Sequence, residues 1–193
     1  MDTNFTNDLM KKLDLAIIEN TDDYLTFEWE KIAKEQMTNF DKSSAVSYID
    51  KLIYGYTGFK KYKYDRLLFN VLYYLASKND AEAIELLLEY LKGKDRRGFA
   101  AEALGRLKEK RAVGIIVEVL RDSLIFSPKS ISYMDAWDRI TLSSYVYMIG
   151  ALKSIGEAEP GVLRILEDYS NKVEDKEIRR DSKEALDSLL GKS

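Results

Sequence analysis

The chain has 193 residues, 46% of them hydrophobic and 33% charged, with a net charge of −3; this is enough for one domain with a continuous core, and it exerts no general pull on nucleic acid. The absence of both cysteine and histidine excludes disulfides, thiolate chemistry and histidine-based nucleophile systems, and it removes the commonest general base and metal ligand. No calcium-loop spacing, phosphate loop, membrane-length apolar run or secretory start is visible, so the expectation is a cytoplasmic protein with no membrane segment, metal or cofactor.

In chain order, residues 1–64 predict three amphipathic helices. Leu9, Leu13, Ala16 and Ile17 form one stripe. Leu25, Trp29, Ile32 and Ala33 form a second, opened by the capping run Thr21-Asp22-Asp23. Val46, Ile49, Leu52 and Ile53 form a third after Asp41-Lys42-Ser43-Ser44. A glycine-containing connection, Tyr54 to Tyr64, follows.

From residue 65 onward a register repeats. Ala100, Ala103, Leu104 and Leu107 lie on one helical face, and Val113, Ile116, Val117 and Leu120 repeat the same spacing in a second helix. Upstream, Leu68, Val71, Leu72 and Leu75 match the first stripe, and Ile84, Leu87, Leu88 and Leu91 the second. Downstream, Met148, Ala151, Leu152 and Ile155 match the first, and Val162, Ile165, Leu166 and Tyr169 the second; Ser182, Ala185, Leu186 and Leu189 form a last half-copy. Alternating helices with short connections mean a stacked solenoid. Asn79-Asp80, Glu109-Lys110 and Gly156-Glu157 are the expected tight turns within pairs. Pro160 suits the first turn of its helix. Gly105 and Gly150 are both expected beside close helix contacts. Ser123 to Ala136 is longer than the repeat requires and breaks the pattern.

The run from Asp95 to Asp122, with Phe99-Ala-Ala-Glu-Ala-Leu-Gly-Arg-Leu107 and Arg111-Ala-Val-Gly-Ile-Ile-Val-Glu-Val-Leu120, resembles a HEAT-like repeat of the phycobilin-lyase type. The segment from Asp175 to Gly191 resembles its first helix again. The resemblance implies an all-α, right-handed α-α superhelix. The expected organisation is a single domain, 1–193, with a divergent helical cap at 1–64. Repeats then follow at 65–93, 94–123 and 137–172, with a half repeat at 175–191. The resemblance is specific for fold rather than for task.

Repeats of this type usually line a concave groove with the first helix of each pair. Carried over, this places Arg66, Leu67, Asn70 and Tyr74, then Gly98, Phe99, Glu102 and Arg106, then Tyr147, Gly150 and Ser154, then Asp181 and Glu184 along one strip. Exposed aromatic and arginine side chains are frequent binding hot spots. Tyr74, Phe99, Arg106 and Tyr147 are therefore expected at the centre of a protein-binding groove, with Arg66, Asn70 and Glu102 beside them. Such a protein would act as an adaptor or as an inhibitor, without catalysis. The plainer expectation for Phe99 and Tyr147 is that they fill gaps between repeats.

A second reading is nucleic-acid contact. Lys60, Lys61, Tyr62, Lys63 and Tyr64 interleave cations with aromatic rings. HEAT-like DNA glycosylases hold a base against tryptophan with an aspartate nearby. Here Asp138 directly follows Trp137, and neither Trp29 nor Trp137 has an aspartate four residues on, so that motif does not carry over. A third reading is a purely structural subunit. Glu82, Glu85 and Glu89 share a face, which reads as a solvated outer surface.

Overall fold

In a computed structural model of the protein, the described residues are 65–191 without 66, 67, 71, 74, 78, 94, 95 and 125–135, and side chains are not described at 124 and 136–143. The N-terminal stripes, Trp29 and the Tyr54–Tyr64 connection lie outside the described residues, as does the cap expected there. The chain divides into two compact units, 1–74 and 75–193. In the first, Asp65, Leu68, Phe69, Asn70, Leu72 and Tyr73 are helical, and Leu68, Phe69 and Leu72 are buried.

Among the described residues of the second unit, helical residues 75–77 precede six helices: α1 (Ala81–Lys92), α2 (Arg97–Arg106), α3 (Ala112–Leu124), α4 (Ala136–Ile155), α5 (Pro160–Lys172) and α6 (Lys176–Leu189). No strand occurs among the described residues. The described residues of this unit form an all-α solenoid of stacked helix pairs. Helices α2, α4 and α6 contact one another in sequence as one layer, and α1, α3 and α5 do the same as a second. Contacts of α1 with α2, α3 with α4 and α5 with α6 join the layers.

The turns explain why each helix stops where it does. The amide of Asn79 donates to the Ala76 carbonyl at 2.9 Å, and that of Asp80 to Leu75 at 3.3 Å. Asn79 itself has a φ of 63°. The same pair of bonds recurs one repeat later, from Lys108 to Gly105 and from Glu109 to Leu104, both at 3.0 Å. Lys108 has a φ of 54°, and the expected Glu109-Lys110 follow it within the turn between α2 and α3. Both turns have the Schellman pattern, which satisfies the last helical carbonyls. Gly156, with a φ of 79°, ends α4 in the related single-bond form, its amide donating to Leu152 at 3.1 Å.

Helix starts follow equally simple chemistry. Asp80 caps α1, accepting from the Ala83 amide at 3.2 Å. Asp175 caps α6, accepting from Ile178 at 2.8 Å. Pro160 occupies the first turn of α5, where its missing N–H leaves no bond unmade.

The core follows the repeated register. Leu87, Leu88 and Leu91 of α1 are buried, with Ala100, Ala103 and Leu104 of α2, and Val113, Ile116, Val117 and Leu120 of α3. Met148, Ala151, Leu152 and Ile155 of α4 and Val162, Ile165, Leu166 and Tyr169 of α5 join them. At the edges of the stripes, Ile84, Leu107, Leu186 and Leu189 are half-buried.

Candidate functional site

The candidate strip is built on the crossing of α2 over α4, the most extensive helix contact in the second unit. Two glycines permit it. A Cβ on Gly105 would lie 2.7 Å from the Ala151 Cα and 2.9 Å from its Cβ. A Cβ on Gly98 would lie 3.0 Å from the Ser144 Cα and 3.1 Å from a ring carbon of Tyr147. Ala101, between them in the helix, is fully buried. Gly98 is therefore a packing residue and not part of an open groove, because α4 occupies the space above it. Gly150 reverses the other expectation. It is exposed and a Cβ there would meet nothing within 4 Å.

With the two backbones this close, larger side chains are displaced to the rim of the crossing. Phe99 of α2 and Tyr147 of α4 stack there, ring centroids 6.3 Å apart and planes 29° apart. Both rings are half-buried, so the pair fills an inter-repeat gap and also presents a face to solvent. Further along α2 on the same helical face, Glu102 is half-buried and Arg106 exposed. On α4, Val146 is half-buried and Gly150, Lys153 and Ser154 are exposed. Lys153 is the sole charged residue from Ser144 to Ile155, and it pairs with Glu184 of α6 at 2.5 Å. That ammonium holds the Glu184 carboxyl below its ordinary range. The surface thus runs from Arg106 and Phe99 on α2, across Tyr147 and a largely uncharged face of α4, to the charged helix α6.

A second set of polar contacts, invisible in the repeat register, joins the turns. Arg111 pairs with Glu109 at 3.0 Å and with Glu85 of α1 at 2.5 Å. Hydrogen bonding from Arg111 lowers the Glu109 pKa, against a smaller opposing effect of burial. Lys110 reaches Glu157, in the turn after α4, at 2.6 Å. In the core, the Tyr169 hydroxyl of α5 donates to the Leu120 carbonyl of α3 at 2.9 Å. Burial pushes its pKa up, with a smaller contribution from Tyr145. The spacing of Tyr169 marks it as a stripe residue, but gives no sign of this bond.

The other expected site residues divide as follows. Asn70 is helical and half-buried in the unit 1–74. Arg66, Tyr74, Lys60, Lys61, Tyr62, Lys63 and Tyr64 lie outside the described residues. Trp137 and Asp138 are in α4, their side chains likewise outside the described residues. Glu82, Glu85 and Glu89 are exposed on α1. Among the described residues, no group of three or more acidic, histidine or cysteine side chains is placed to hold a metal ion. No described helix is long and apolar enough to cross a membrane.

Residues 97–122, which comprise α2, its turn and most of α3, match the family model described as PBS lyase HEAT-like repeat. Comparison with curated proteins and with solved structures gives no match. The match covers the repeat in which the Schellman turn, the glycine crossing and the buried stripes all coincide. By its fold and by this match, residues 97–122 form a HEAT-like repeat.

Proposed function

We propose that this protein binds a protein partner without catalysis, acting in the cytoplasm as an adaptor or an inhibitor. Its binding surface is the rim of the α2–α4 crossing, with Phe99, Arg106 and Tyr147 at the centre and Glu102 beside them. The observation that carries this reading is the Phe99–Tyr147 stack. It brings two half-buried rings from separate repeats to one place. Aromatic and arginine side chains in such positions supply most of the energy in many interfaces. The neighbouring face of α4 adds support, because charged groups are depleted at interface centres. A surface of mixed charge also suits a protein better than a phosphate backbone, which selects clustered cations.

Affinity capture from the native cell tests the proposal, using the tagged protein and its Arg106→Ala variant side by side with nuclease treatment. The expected result is a protein enriched by the parent chain and depleted with the variant, at equal melting temperature. Equal capture by both chains would overturn the assignment of the strip. Recovery abolished by nuclease would turn the reading to nucleic acid.

A further inference from the structure

We draw no further inference here: the strongest candidate, the exposed face of α4 around Val146, Gly150 and Ser154, is an unpartnered helix face on which nothing in the structure shows what covers it.

Discussion

The two helix layers hold their repeats together by different means. Between α2 and α4, contact is made by backbone approach: Gly98 lies against Ser144 and Tyr147, Gly105 against Ala151, and Ala101 is buried between them. Between α3 and α5, it is made by side-chain volume. Val113, Ile116, Val117 and Leu120 face a core shared with Val162, Ile165 and Leu166, and one buried hydroxyl spans the two helices. The first arrangement leaves no room for large groups in the crossing, so its rings and its arginine are carried to the rim. The second buries its large groups and leaves short or charged side chains outside, such as Glu118, Arg121 and Glu167. The same repeat therefore gives its two layers different surfaces.

The sharpest way to break this comparison is to add one methyl group to the first layer. Gly105→Ala should lower stability by about 2 kcal/mol. A helix ordinarily gains roughly 1 kcal/mol from this change, but overpacking costs about 1–3 kcal/mol. Here the obstruction is the Ala151 backbone at 2.7 Å, which cannot swing aside as a side-chain tip would. Urea unfolding measures it, and an unchanged or raised midpoint would refute the close crossing.

In the second layer, Tyr169→Phe should cost about 1 kcal/mol, the net worth of an intramolecular hydrogen bond. It should also alter the alkaline limb. The pKa of Tyr169 is raised in the folded state, so its contribution is complete below the ordinary tyrosine value of about 10. That contribution is lost as pH rises toward the folded pKa. Stability measured from pH 8 to 11 should fall less steeply in the variant than in the parent. Parallel curves would contradict the bond.

Gly150→Ala is the counterpart of the first substitution and should act in the opposite direction. With open space at the Cβ position, it should gain about 0.5–1 kcal/mol from helix propensity. A loss would mean that this face is covered. The smallest effect is expected at the turn. The lowered pKa of Glu109 gives a contribution that is present above about pH 4.3 and disappears as pH falls through the depressed folded value. For so accessible a pair, the contribution is small. Thermal melts of Glu109→Gln between pH 6 and 3 should show a slightly shallower acid decline than the parent.

What was legible in the sequence follows from the same division. Stripes such as Val113, Ile116, Val117 and Leu120 can be read directly, because burial by volume imposes helical spacing on apolar residues. Asn79 and Gly156 announce turns by residue type, whereas Lys108 does not. A lysine at positive φ has no compositional signature, so the sequence marks the turn at Glu109-Lys110 without showing which residue reverses the chain. Glycines are harder still. Gly105 and Gly150 look equivalent in a helical repeat, and only the position of α4 distinguishes packing from open surface. Gly98, expected along the groove, is covered by α4 for the same reason. Phe99 and Tyr147 were legible as residues of one helix class, but their meeting depends on a crossing distance that spacing does not encode. Arg111 and its partners could not be read at all, since exposed ion pairs obey no period.

The most direct test of the account is a titration of the captured partner against Arg106→Ala. Arg106 is exposed, so its truncation should leave the melting temperature within about 1–2 °C of the parent, as surface substitutions do. The account predicts affinity weakened at least fivefold, the loss of about 1 kcal/mol or more expected of an interface centre. Unchanged affinity at unchanged stability would contradict it.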